Sequence, residues 1–280
     1  MHFETPISRI AHRLRMSRLQ TDGSTFIDAA VGTGSYWSVG DDWYLITNWH
    51  NITGCNPITH EAMSKNTGVI PTHLTHQWIE IDDLEKSPEQ QKVMWKAFAV
   101  QLYEEDNKPL WFEHPKFGHK VDVVAIKVFE GRHDKRNIFS LPVNDNQWFA
   151  LNILPGSDCF VLGYPKGLDG GFDLPLWKRA SIASEPSYDH GGLPRLLIDT
   201  ATREGMSGAP VVAVSNGYHV PIGGTGFKDS VIGRVESFIG VYSGRMDDDP
   251  LGVQIGIVWK EKLINEIIQG SVRGSNPLIP

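Results

Sequence analysis

The sequence predicts an all-β chain folded as two barrels or sandwiches, and three observations carry that prediction. Glycine (28) and proline (17) punctuate the 280 residues into many short segments. Those segments are rich in Val, Ile, Trp, Tyr and Phe, which suit a pleated, half-buried surface. Only one stretch, near the C-terminus, repeats its apolar residues at helical spacing.

In chain order, SRIAHRLRM (8–16) alternates apolar and polar residues and reads as a strand. GTGSYWSVG (32–40) and WYLITN (43–48) form a hairpin about the Gly-Asp-Asp turn. Between Asn51 and Lys120 the pattern loosens into turn residues, histidines and the acidic stretch IDDLEKSPEQQ, with WKAFAVQLY (95–103) as a strand among long loops. VDVVAIKVF (121–129) follows. Proline, glycine and asparagine at 140–155 mark a linker, giving an N-terminal unit at 1–150, with the 51–120 insertion, and a C-terminal unit at 151–280. The second unit has strands in DCFVLGYP, LWKRASIAS, RLLID, APVVAVS, SFIGVYS and VQIGIVW. A helix at 259–269 closes it, with Trp259, Leu263, Ile264, Ile267 and Ile268 on one stripe.

Composition narrows the function. Acidic residues outnumber basic ones 33 to 26, a net charge of −7, so no broad basic face can neutralise a phosphate backbone and no nucleic-acid partner is expected. The two cysteines, Cys55 and Cys159, allow at most one bridge and suit a reducing compartment. Glu4, Pro6 and scattered arginines interrupt the first twenty residues, which therefore do not read as an export signal. No run approaches the ~18 apolar residues of a membrane span. The expectation is a soluble, cytoplasmic protein without a membrane partner.

Three stretches carry chemistry. In LITNWHNITG an apolar strand ends at His50, placing an imidazole at a strand end rather than in a helix. In KVDVVAIKV, Asp122 opens an apolar strand; in DTATREGMSGAPVVAV, Ser207 sits in a Gly-Met-Ser-Gly turn. Acyl transfer needs a hydroxyl, an imidazole to take its proton and a carboxylate to orient the imidazole. Ser207, His50 and Asp122 supply these, and the N–H groups of Gly205 and Ser207 suit a developing oxyanion. Each motif alone reads as an ordinary histidine, strand start or tight turn. Their order, His then Asp then Ser, gives them joint meaning.

Here the sequence resembles the trypsin-like, chymotrypsin-fold serine peptidases, particularly the disulfide-free bacterial branch that includes HtrA-type proteases. GTGSYWSVGDDWYLITNWHNITG is similar to that family's histidine region, VDVVAIKV to its aspartate strand and IDTATREGMSGAPVVA to its nucleophile loop. FIGVYSGR and LGVQIGIVWKEKLINEII resemble its pocket strands and terminal helix. The resemblance implies two antiparallel β-barrels with the site between them and a polypeptide substrate. It implies a Ser207 nucleophile, a His50 base, an Asp122 orienter and a pocket from Ala201, Thr202, Ser243 and Gly244. Ala201 stands where lysine- and arginine-selective digestive members carry a carboxylate. Met206 replaces the aspartate that in those members receives a newly cut N-terminus, and Ala209 replaces a second glycine. No appended PDZ-like module is expected within these 280 residues.

Other candidates weigh less. His60, His73 and His76 lack a matching cysteine or acidic set, so no metal is expected. GTGSY lacks the rest of a dinucleotide-binding motif and reads better as a turn. Asp247–Asp249 reads as a solvated hairpin tip and Cys55 as a buried thiol. No cofactor is expected. The rival function is a binding or regulatory module of the same fold whose catalysis is latent.

Overall fold

The computed structural model describes residues 5–63, 69–81, 92–130, 140–224, 226–246 and 254–276, with the single positions 86, 90 and 138. The Asp247–Asp249 tip and most of the acidic 81–91 stretch lie outside the described residues.

The N-terminal half builds an eight-stranded antiparallel sheet. Its strands are β1 (Ala11–Leu19), β2 (Phe26–Val39), β3 (Asp42–Thr47), β4 (His73–Ile81), β5 (Val93–Gln101), β6 (Trp111–Glu113) and β7 (Val124–Phe129), with β14 (Val272–Arg273) added from the chain's end. They are ordered β14-β6-β7-β3-β2-β1-β4-β5. Alternation decides which face is inside: in β1, Leu14 and Met16 are buried while Arg15 between them is exposed. These residues pack with Tyr36, Leu45, Trp49, Leu74 and Trp111. The two flanks of the sheet meet at Leu102, whose N–H donates to Thr72 O and whose carbonyl accepts from Leu110 N–H, both at 2.9 Å.

The C-terminal half forms a closed barrel in the order β10-β13-β12-β11-β8-β9. Its strands are β8 (Asp158–Gly163), β9 (Leu176–Ile182), β10 (Arg195–Asp199), β11 (Pro210–His219), β12 (Val231–Arg245) and β13 (Ile255–Lys260). Cys159, Val161, Ile198, Val211, Ala213 and Val258 fill it. A third apolar cluster joins Ile10, Trp37, Val121 and Val123 to Leu162, Val212, Phe238 and Trp259. Burying side chains of this kind contributes roughly 1.5–3 kcal/mol each, which couples the two sheets along this seam.

Four expectations need correction. The 51–120 stretch holds a second long strand besides the one expected at 95–103: β4 pairs with β5 from His73↔Gln101 to Ile81↔Val93 and extends the first sheet. The buried His76 takes the inward position between Leu74 and Trp78, and a polar residue there hid the apolar alternation of HLTHQWIEI. The terminal helix is α2 (Lys262–Gly270), and Trp259 belongs to β13, paired with Arg195 and Val241. Its indole fell on the helical stripe by coincidence of spacing, whereas Leu263, Ile264, Ile267 and Ile268 are indeed the buried face. The 151–280 segment does not stay with its own barrel, because β14 pairs with β6 of the first sheet. Residues 32–36 form neither a turn nor a phosphate loop but the middle of β2. No described helix is long and apolar enough to cross a membrane.

Candidate active site

The first site residue lies on a single helical turn rather than at a bare strand end. After β3, α1 (Trp49–Thr53) begins at Asn48 and stops at Gly54, whose φ of +68° glycine tolerates without strain. His50 therefore projects from a one-turn helix docked by the buried Trp49 and Ile52.

Asp122 is buried just before β7. Its Oδ2 lies 2.6 Å from His50 Nδ1, and its Oδ1 accepts the His50 backbone N–H at 2.9 Å. Ser243 Oγ donates to Oδ2 at 2.6 Å, and Asn48 Nδ2 donates to the Asp122 carbonyl at 2.7 Å. The β12–β13 register slips between Tyr242 and Gly244, leaving Ser243 as the extra residue. Such a bulge re-aims a side chain. Ser243, expected in the substrate pocket, thus turns its hydroxyl to Asp122.

The Ser207 loop is anchored from both halves of the chain. Ser207 O accepts from Thr33 N–H at 2.8 Å and from Asn51 Nδ2 at 3.0 Å. Thr33 Oγ1 donates to Gly205 O at 2.7 Å, and Gly208 N–H donates to Tyr242 O at 2.8 Å. Asn51 is the neighbour of His50, and Tyr242 the neighbour of Ser243. The strands and α1 therefore bring His50, Asp122 and Ser207 to one junction between sheet and barrel. Two glycines make the loop possible. Gly205 (φ +91°) and Gly208 (φ +86°) adopt left-handed backbone, and a Cβ would lie 2.2 Å from Tyr164 O at the first and 2.0 Å from Thr33 O at the second. Among the described residues, the N–H groups of Gly205 and Ser207 and the Nε2 of His50 have no hydrogen-bond partner.

The remaining pocket candidates divide. Thr202 is buried, and its hydroxyl is hydrogen-bonded to the Tyr242 phenol. Ala201 is exposed. Gly244 (φ +116°) has open space where a Cβ would stand. The three histidines weighed as metal ligands are dispersed: His76 Nδ1 meets Tyr36 OH in the core, His73 bonds Thr72, and His60 bonds His119. Among the described residues, no group of three or more His, Cys, Asp or Glu could hold a metal.

Sequence reasoning passed over Thr33, Thr47, Asn48 and Asn51, which are buried and hold the site's backbone in place. Polar residues interrupting otherwise apolar strand ends were the available signal, since buried polar groups need partners.

A disulfide-free pair of antiparallel β units carries a His–Asp pair and a glycine-framed serine loop at their junction. Residues 32–220 match the family described as trypsin-like peptidase domain, and the chain belongs to that family. Comparison with curated proteins returns no match. Among solved structures it is similar to the HtrA-type protease AlgW with tripeptide, as a variant (14% identity, TM-score 0.47) and as the parent (12%, 0.46). Those alignments cover 97% and 96% of this chain, which spans 64% of each AlgW chain. The Rv3671c protease in its inactive form aligns at 17% identity and TM-score 0.43, over 94% of this chain and 88% of that one.

Proposed function

We propose that the protein is a serine endopeptidase that hydrolyses peptide bonds through an acyl-enzyme, with Ser207 as nucleophile, His50 as base and Asp122 as orienter. The observation that carries the reading is the double grip of Asp122 on His50. It presents Nδ1 to the carboxylate and leaves Nε2 for the Ser207 proton. Ser207 Oγ attacks the substrate carbonyl as its proton passes to His50 Nε2. The oxyanion forms against the N–H groups of Gly205 and Ser207. His50 then gives the proton to the leaving amine, the C–N bond breaks, and water releases the acyl group by the same steps in reverse. Family membership supports a polypeptide substrate. The buried, unpaired thiols of Cys55 and Cys159 support a reducing, cytoplasmic setting.

The test is labelling with a fluorophosphonate probe. The intact chain should take up one equivalent, on Ser207, and Ser207→Ala should take up none. A correctly folded chain that stays unlabelled would favour the rival, a trypsin-fold binding module with latent catalysis.

A further inference from the structure

We propose, on the reading that Gly205 and Ser207 form the oxyanion site, that Arg13 is a positioning residue for that site. It acts through the 164–173 segment and its ion pair with Asp173. The Gly205 peptide is set directly against this segment: Lys166 N–H donates to Glu204 O at 2.6 Å, and Gly205 leaves no room for a Cβ beside Tyr164 O. Where the Tyr164–Lys166 backbone sits therefore decides where the Gly205 N–H points.

That backbone does not hold its shape by local preference. Lys166 (φ +52°), Phe172 (φ +52°) and Asp173 (φ +56°) all lie in the left-handed region without being glycine. Residues so placed persist only where surrounding contacts over-determine them. Arg13 provides those contacts from β1. Its Nη1 donates to Gly167 O at 3.2 Å, and its Nη2 lies 2.7 Å from Asp173 Oδ1. The guanidinium carbon stands 6.0 Å from the Tyr164 ring centroid. The Tyr164 hydroxyl lies 2.9 Å from Asp173 O and 3.1 Å from Ala11 O, also on β1.

The same pair of strands reaches the loop from its other side. Arg13 pairs in register with Thr33, which donates to both Ser207 O and Gly205 O. One rung of the β1–β2 ladder thus clasps the oxyanion loop directly through Thr33 and its supporting turn through Arg13. Met206, fully buried at 0% exposure, offers the loop no charge of its own. The fixed cation comes from Arg13, whose rigid planar guanidinium sets one nitrogen on Gly167 O and another beside Asp173 Oδ1.

Arg13→Gln and Asp173→Asn in the full chain test the inference with two readouts. Hydrogen exchange of the 203–208 backbone should quicken by roughly threefold or more in either variant, together with 164–173, while β4 and β5 are unaffected. This readout needs no catalysis, so it decides the coupling even if Ser207 proves unreactive and the peptidase reading fails. On a peptide substrate kcat should fall about tenfold with KM changed by less than about twofold, and Arg13→Lys should recover only part of the loss. Unchanged exchange at 203–208 in both variants, or a fall in melting temperature with wild-type kcat, would overturn the proposal and leave the pair a purely structural tie.

Discussion

Asp122 holds His50 at two points, its Oδ2 2.6 Å from the ring Nδ1 and its Oδ1 2.9 Å from the backbone N. The carboxylate thus fixes both the tautomer of the ring and the position of the residue that carries it. Asp122→Asn, which can offer Nδ1 an amide donor in place of an acceptor, should lower kcat by about 10³- to 10⁴-fold. The losses in His50→Ala, Ser207→Ala and their double variant should be far from additive, measured as phosphonate labelling rates and peptide turnover. Additive losses would mean that the residues do not act as a unit.

The Ser243 hydroxyl gives the carboxylate its third donor. Hydrogen bonds to charged groups contribute about 1.5–3 kcal/mol, so Ser243→Ala should reduce kcat about tenfold or more with little change in KM. A variant that alters KM alone would return Ser243 to the substrate pocket.

Activity should not depend on cutting the chain to create a new N-terminus. The position before Ser207 is Met206, buried in the barrel core beside Ala209 and Tyr242, with no carboxylate to receive an amino group. The intact protein should label and turn over substrate at once. Met206→Asp should destabilise the fold by several kcal/mol, because its carboxylate would be buried without a partner. Activity appearing only after removal of an N-terminal peptide would contradict this.

Cleavage should follow small or medium apolar residues. No acidic residue stands at Ala201 or Thr202, the Thr202 hydroxyl is engaged by Tyr242, and Gly244 leaves its side open. An apolar side chain there gains roughly 25 cal/mol per Å² buried, while a lysine would lack its counter-charge. Profiling a mixed peptide library should show alanine, valine, leucine or methionine before the cut. A dominant preference for lysine or arginine would refute the assignment.

Stability should fall with acid well before the carboxylates titrate. Burial pushes the His12 imidazole down to about 3, helped by neighbouring His76, and burial pushes His76 down to about 4, both from 6.5. Below pH 6.5 the unfolded chain therefore binds more protons than the folded one. The stability present above that pH is lost progressively as pH falls toward the folded values. Each histidine should cost about 2–3 kcal/mol by pH 4.5, read from urea midpoints, and His12→Phe should flatten the slope. A flat profile between about pH 7 and 4.5 would exclude the effect.

The amino-acid sequence by itself determined the β class and the apolar face of α2, and it singled out His50, Asp122 and Ser207 as the candidates proposed for the site. Strand alternation, helical spacing and turn glycines are local and written in consecutive residues. The Gly-Met-Ser-Gly turn was legible too, although what forbids a side chain at 205 and 208, Tyr164 O and Thr33 O pressed against those positions, is tertiary. Only the tertiary structure decided that His50 stands on a helical turn, that β4 pairs with the strand read at 95–103, and that Trp259 belongs to a strand. Each depends on which segment pairs with which, and such pairings join residues far apart in the chain. The same holds for Ser243, turned to Asp122 by a bulge visible only in the β12–β13 register, and for Arg13, whose acceptors Gly167 and Asp173 lie in the other half of the chain. A sequence shows which side chains need a buried partner; closing the sheet and barrel against each other chooses the partner, because only there do distant polar groups lose water together.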